Sequence, residues 1–177
     1  MTLFTEAIDQ DKGAVFDPDR IYRYLLWRQW REGSGTIVWL MLNPSTVDEQ
    51  RLDPTLRRCR DYSKRWGYAR MEIVNLFAYR STDSDALAKE SICGMDIVGN
   101  PANDAAICSA AFAAESAIVC GWGAKPVAVE RAAQVLRMLR AHGFGDKLRC
   151  LHRNIDGSPQ HPLYLAKACT PCYRLDD

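Results

Sequence analysis

The apolar positions of the chain fall into two kinds of segment, short continuous runs and longer stretches with helical spacing. Short runs are typical of strands that are covered on both faces of a sheet, and four of them are present. They lie at residues 36–42, 71–78, 117–120 and 147–151. The longer stretches predict four helices. These helices cover about residues 19–31, 53–66, 100–114 and 126–142.

The alternation of strands and helices predicts an α/β fold. We expect a three-layer αβα sandwich with a central, mostly parallel four-stranded sheet, because right-handed crossovers place helices on both faces. No repeat, low-complexity tract or linker divides the sequence. Its length fits one domain with a sizeable core, so we expect a single domain over residues 1–177.

Polar residues concentrate where the predicted parallel strands end. In sheets of this kind, ligands bind beyond the carboxyl ends of the strands. The segments at these ends are residues 43–46, 75–82, 121–123 and 152–161. We therefore expect a polar pocket built around Asn43, Asn75 and His161.

The two asparagines each have a structural and a functional interpretation. Asn43 precedes a proline, and its structural role would be an Asx-type turn that caps the loop. Asn75 stands among apolar residues, where a buried carboxamide costs about 1 to 3 kcal/mol unless it is hydrogen-bonded. Its one acceptor and two donors can read the edge of an amide-like ligand such as a pyrimidine. A hydrogen-bonded core network is the alternative.

His161 and Trp122 are the other candidates at these strand ends. His161 lies in a proline-rich loop, where it could be an acid, an electrophile or a phosphate contact, or could simply decorate the surface. Trp122 between two glycines could stack on a ligand, or the glycines could let the backbone pass close to an aromatic ring. Tyr164 and Tyr79 are lesser stacking candidates.

The net charge of the chain does not distinguish between classes of partner, but one stretch of the sequence is strongly basic. The formal net charge is +1, so global charge argues neither for nor against a polyanionic partner. A basic stretch that includes Arg57, Arg58 and Arg60 favours a solvated helix face, with phosphate contact as the alternative. No apolar run reaches the roughly 18 to 20 residues of a bilayer span. The first residues lack the pattern of a signal peptide, so we expect no membrane partner.

The cysteines bear on compartment and cofactors. Seven cysteines are scattered along the chain, which favours a reducing compartment over a disulfide framework, and we expect a cytoplasmic protein. Cys169 and Cys172 have the spacing of half a zinc or redox site, so a four-ligand metal site with His152 and His161 is conceivable. A lone pair of this kind is weak evidence, and we predict no metal and no cofactor.

Three segments together carry a resemblance to a known family. They read MLNPSTVD with DPT at residues 41–55, VNLFAYRST at residues 74–82, and GSPQHPLYL at residues 157–165. The chain resembles an uncharacterised bacterial and phage family, domain of unknown function 1643, over roughly residues 18–167. This resemblance implies no agreed activity.

The order of the motifs is also similar, more distantly, to the uracil-DNA glycosylase superfamily. There, a first strand ends in a Gly-x-Asp/Asn-Pro motif that positions the attacking water, and Asn43-Pro44 matches its Asn form. A later strand carries an Asn that reads the uracil edge, which Asn75 could match. A Leu-Trp-Gly-like turn matches residues 121–123, and the loop that supplies the catalytic histidine matches His161.

The likeness implies a uracil-DNA glycosylase-like fold and hydrolysis of an N-glycosidic bond in a nucleotide or nucleic acid. Asn43 and His161 would be catalytic, holding water and the departing base anion. The substrate-binding residues would be Asn75, Pro44, Ser45, Tyr79, Trp122 and Arg80, and the nucleic-acid backbone would meet Arg57, Arg58 and Arg60. A non-catalytic nucleotide or modified-base binding protein is the alternative, and a metal- or thiol-dependent enzyme is the third hypothesis.

Overall fold

A seven-stranded mixed sheet forms the centre of the fold in the computed structural model, which describes residues 11–46, 51–171 and 173–175. The strands are β1 (Asp11–Phe16), β2 (Arg23–Gln29), β3 (Thr36–Met41), β4 (Arg70–Asn75), β5 (Ile118–Cys120), β6 (Leu148–Cys150) and β7 (Tyr173–Arg174). Their order across the sheet is β1-β2-β4-β3-β5-β6-β7. The four central strands are parallel, and β1, β2 and β7 extend the sheet through antiparallel pairs.

Four α-helices cover the two faces of this sheet in the described part of the chain. They are α1 (Pro54–Arg65), α2 (Ala86–Ile92), α3 (Ala102–Ala113) and α4 (Ala128–Ala141). Helices α2, α3 and α4 pack on the face that carries Val38 and Leu40. Helix α1 packs on the opposite face, where Trp39 stacks on Tyr62 with 6.0 Å between the ring centroids. The alternation along β3 thus supplies both halves of the core.

The α/β class is confirmed, and so is the parallel pairing of four central strands. The predicted helices at 53–66, 100–114 and 126–142 correspond to α1, α3 and α4. The predicted sheet of four strands is too small, because three antiparallel strands lie at its edges. Strand β1 is largely exposed and β7 has two residues, so neither carries the continuous apolar signal of a buried strand.

The prediction of a helix over residues 19–31 is wrong, because most of this segment is β2. Leu26, Arg28 and Trp30 are buried and alternate with more exposed neighbours, which is the two-residue period of a strand. Strand β2 pairs with both β1 and β4, with Leu26 opposite Ile73. Pairing on both sides and the strand preference of aromatic residues outweighed an apolar spacing that also fits a helix.

The cysteines that the structure describes are free thiols, and Cys172 lies outside the described residues. Burial raises the pKa of the Cys59 and Cys120 thiols well above the ordinary value, as for cysteines that act as core residues. Among the helices described, none combines the length and the apolar character that a bilayer crossing requires.

Candidate functional site

A cavity of about 790 Å³ opens at the carboxyl ends of the parallel strands, the edge where ligands bind in sheets of this type. Asn43 follows β3, Asn75 ends β4, and Trp122 follows β5. The loop after β6 brings His161 to the same cavity, and the amino end of α1 contributes Asp53. The structure thus brings together the three residues around which the sequence predicts a pocket.

Asn43 is held in one orientation by two loops. Its Nδ2 donates to the carbonyl oxygens of Ser81 and Pro44, at 2.9 and 3.1 Å. The backbone N–H of Ser81 in turn donates to the Pro44 carbonyl at 2.9 Å. Because both amide hydrogens have carbonyl partners, Oδ1 is the atom left to accept a hydrogen bond at the cavity.

Asn75 is almost fully buried, with 2 % of its surface exposed, and it lines the cavity. Its backbone carbonyl accepts from Asn103 Nδ2 at 3.1 Å. Its carboxamide has no hydrogen-bond partner among the residues that the structure describes. The Asn75 amide atoms are not among the buried side-chain atoms that lack a partner, so they are accessible from the cavity and leave one acceptor and two donors available to a ligand.

His161 presents a neutral imidazole to the cavity. Its Nδ1 accepts the backbone N–H of Leu163 at 3.3 Å, which requires a lone pair on Nδ1 and places the ring hydrogen on Nε2. Burial lowers the pKa of His161, and the negative charge of Asp53 partly opposes this effect. At neutral pH the ring is therefore a hydrogen-bond donor through Nε2.

Glycines beside Trp122 let the histidine loop approach the sheet. A Cβ on Gly121 would lie 3.0 Å from Cδ of Pro162 and 3.2 Å from Sδ of Met41, so a larger residue would displace the turn. The backbone N–H of Gly123 donates to the Pro159 carbonyl at 3.0 Å. Trp122 is 5 % exposed and belongs largely to the core, with one edge at the cavity.

Asp53 and Ser45 form a hydrogen-bonded pair on the cavity wall. Asp53 is the N-cap of α1, where Oδ1 accepts the Leu56 N–H at 2.8 Å. Its Oδ2 accepts from Ser45 Oγ at 2.9 Å. Both residues line the cavity, and Asp53 is the one carboxylate among the described lining residues.

A family model described as "Protein of unknown function (DUF1643)" matches residues 23–163. The chain belongs to this family. The matched range begins at the first residue of β2 and contains every cavity residue described above. None of the curated proteins and none of the solved structures matches the chain.

Three predicted substrate contacts of the DUF1643 domain do not line the cavity. Pro44 is buried, and its carbonyl joins the two loops. Tyr79 pairs with Tyr22 in an isolated bridge and packs against the core. Arg80 donates from Nη1 and Nη2 to the carbonyls of Arg20 and Thr46, at 2.8 and 3.1 Å. All three therefore support the loops that carry the cavity residues.

The arginines predicted to meet a nucleic-acid backbone lie on α1, away from the cavity lining. Arg57 donates to the Leu52 carbonyl at 2.9 Å, and Arg58 approaches the Leu165 carbonyl at 3.4 Å. Arg60 pairs with Asp61 at 3.2 Å. Each of the three arginines therefore has an intramolecular contact.

Sequence reasoning missed several cavity residues of the DUF1643 domain. Arg23 is 3 % exposed and lines the cavity, but the predicted helix gave no reason to place it there. Lys125 also lines it and pairs with Asp85 at 2.6 Å, and this hydrogen bond raises the Lys125 pKa. Further polar lining residues are Thr55, Ser81, Thr82, Ser84, Asn154 and Gln160. Ser81, Thr82, Asn154 and Gln160 lie in the strand-end segments that the sequence predicts, whereas Thr55 lies in α1 and Ser84 precedes α2.

The metal alternative involves the end of the chain. Cys169 contacts the core beside α1, and Cys172 lies outside the described residues. Within the described ranges, no three His, Cys, Asp or Glu side chains converge as a metal site. The side chains that line the cavity are mainly amides, hydroxyls and apolar groups, which suit an organic ligand.

Proposed function

We propose that the cavity binds the base of a nucleotide or nucleic acid and hydrolyses its N-glycosidic bond. The observation that carries the proposal is Asn75, a residue that is 2 % exposed and whose carboxamide lines the cavity without a hydrogen-bond partner among the described residues. A base with an amide-like edge offers the matching acceptor and donor. Such a ligand would hydrogen-bond to amide atoms of Asn75 that no described residue engages.

His161 supplies the second element of the proposal. When the N-glycosidic bond breaks, both bonding electrons leave with the base, which becomes an anion. The Nε2–H of the neutral His161 ring can donate to an oxygen of that anion as its charge develops. Such a fixed donor acts most strongly in the transition state, and losing one typically slows a reaction about 10²- to 10³-fold.

Asn43 supplies the third element. Its Nδ2 is held by the carbonyls of Ser81 and Pro44, so Oδ1 can accept from a water beside the anomeric carbon. An amide cannot take a proton from that water, and the reaction would pass through a dissociative, oxocarbenium-like transition state. Asn43 therefore orients the nucleophile while His161 stabilises the leaving group.

The size of the site is compatible with a nucleotide. A volume of about 790 Å³ lies within the range of about 300 to 1,000 Å³ of small-molecule pockets. A base within duplex DNA would first have to leave the stack. Free nucleotides and single strands need no such step, and the screen below separates these substrates.

The experiment is mass-spectrometric detection of free base. The full chain is incubated with pooled nucleosides, nucleotides, and single- and double-stranded oligonucleotides that carry normal and modified bases. We expect release by the wild type that falls at least about 10²-fold in His161→Ala and in Asn43→Ala. His142→Ala, which changes an exposed histidine at the end of α4, is the matched control and should retain activity.

Absence of release by the wild type would contradict hydrolysis. A rise in melting temperature with one member of the same pool would then assign the cavity to a non-catalytic nucleotide or modified-base binding protein. Wild-type activity in His161→Ala would contradict the role of the imidazole, even if base is released.

A further inference from the structure

We propose that Ser45 and Asp53 accept the proton of the attacking water, with Ser45 as the relay and Asp53 as the final acceptor. This inference rests on the proposed hydrolysis. It answers a chemical need of the site, since Asn43 can orient water but cannot remove its proton. Asp53 is the one carboxylate in the described cavity lining.

The geometry of the pair fits a relay. Ser45 lies two residues after Asn43 on the same loop, and both line the cavity. Ser45 Oγ donates to Asp53 Oδ2 at 2.9 Å. A hydroxyl that donates its hydrogen still has lone pairs to accept another, so Ser45 can accept a hydrogen bond from a water that Asn43 also holds.

The orientation of the Asp53 carboxylate is fixed by the first turn of helix α1. Asp53 Oδ1 accepts the Leu56 N–H at 2.8 Å, so Oδ2 faces Ser45. The other charged or titratable side chains of the described lining are Arg23, Lys125, His161 and Tyr164. Lys125 is engaged with Asp85. Asp53 and His161 line the same cavity, and the negative charge of Asp53 partly opposes the fall of the His161 pKa.

The proposed reaction adds one water across the N-glycosidic bond. The C1′–N bond breaks and its electron pair leaves with the base, while the water oxygen forms the new C1′–O bond. The water proton passes to Ser45 Oγ as the Ser45 proton passes to Asp53 Oδ2. The base anion then takes one proton and Asp53 releases one, so the net reaction adds one water across the N-glycosidic bond.

The competing interpretation is that Asp53 serves only as the N-cap of α1. Asparagine and serine are also good N-cap residues, but neither can accept a proton at neutral pH. Asp53→Asn and Asp53→Ser therefore retain the cap and remove the base. Asp61→Asn on the same helix, where Asp61 is exposed and paired with Arg60, is the matched control for loss of one carboxylate.

The test measures base release and base binding in the full-length protein, with the substrate identified in the screen and the free base as the binding probe. We expect kcat to fall about 10²-fold in Asp53→Asn and Asp53→Ser, the lower end of general-base effects, because little proton transfer has occurred in a dissociative transition state. The affinity for the free base should change little. The kcat of Ser45→Ala should fall further than that of Ser45→Thr, because threonine keeps a hydroxyl. Formate should partly restore kcat in Asp53→Ser, because it supplies a carboxylate but no cap.

The outcomes separate this inference from the proposed function. Wild-type kcat in Asp53→Asn, alongside a defective His161→Ala, would overturn the relay and leave the hydrolase standing. If circular dichroism shows that Asp53→Asn and Asp53→Ser both fail to fold, the role of Asp53 is structural and the relay is overturned. If the wild type releases no base, the hydrolase and the relay both fail.

Discussion

At the end of β4, the two faces of the sheet differ in whether their polar side chains are hydrogen-bonded within the protein. On the α3 side, Asn103 is 0 % exposed and its Nδ2 donates to the carbonyls of Asn75 and Leu76, at 3.1 Å each. Arg131 donates from Nε to the Leu76 carbonyl at 2.9 Å and pairs with Asp104. On the α1 side, the Asn75 carboxamide faces the cavity with no partner among the described residues.

This difference distinguishes polar groups that stabilise the fold from polar groups that are available to a ligand in the cavity. Beyond β4 the chain leaves the ladder, so its carbonyls need other donors, and Asn103 and Arg131 provide them. Asn103 Oδ1 is a buried side-chain atom without a partner in the described chain. Asn75 makes no comparable contribution through its side chain. We therefore expect substitutions on the α3 side to lower stability and those at the cavity to affect binding and catalysis.

The largest expected effect on stability is that of Arg131→Met. The change removes the hydrogen bond to the Leu76 carbonyl and leaves Asp104 without this cation. Breaking a buried pair costs about 3 to 5 kcal/mol, and Asp104 remains one-third exposed, at 32 %. We expect the free energy of unfolding to fall by about 3 kcal/mol in urea denaturation.

The matched control is Arg137→Met, an exposed arginine on the same helix. Its free energy of unfolding should stay within about 0.5 kcal/mol of the wild type. Equal effects of the two substitutions would show that the Arg131 contacts do not stabilise the end of β4.

The second effect is that of Asn103→Leu. The side chain keeps a similar size, but the Asn75 carbonyl loses its donor while Leu76 retains Arg131. We expect a loss of about 1 to 2 kcal/mol, because removal of the unpaired Oδ1 offsets part of the cost. Denaturation that coincides with the wild-type curve would contradict a structural role for Asn103.

The contrast also explains how far the sequence could predict the site. Asn43, Asn75 and His161 follow or end separate strands, and the parallel order that alternation predicts brings strand ends to one edge. Arg23 was out of reach because its segment also fits a helix. Asp53 was predicted only as the start of a helix, since spacing along one helix does not show that its first residue also lines a cavity. Whether the Asn75 carboxamide is paired depends on tertiary contacts.

His161 gives a smaller, pH-dependent effect on the cavity side. Burial lowers its folded-state pKa below the ordinary 6.5, with Asp53 opposing. The unfolded chain then binds a proton at a higher pH than the folded chain, so stability rises with pH between the two pKa values. We expect stability to be lost as the pH falls below about 6.5 towards the lower folded-state pKa. In His161→Gln, this part of the pH dependence should disappear.

Urea denaturation at several pH values between about 5 and 8 would measure this difference. The quantity to compare is the slope of the unfolding free energy against pH in the wild type and in the variant. The same slope in both proteins would show that burial of His161 does not disfavour its charged form.

The smallest effect on stability is expected for Asn75→Leu, the same chemical change as Asn103→Leu on the opposite face. Because the Asn75 side chain has no hydrogen bond to lose within the described residues, the free energy of unfolding should range from unchanged to about 1 kcal/mol higher. Base binding and base release should be lost, since the leucine cannot read a polar edge. A destabilisation as large as that of Asn103→Leu would show that Asn75 belongs to the core network, and it would remove the main support for a base-binding cavity.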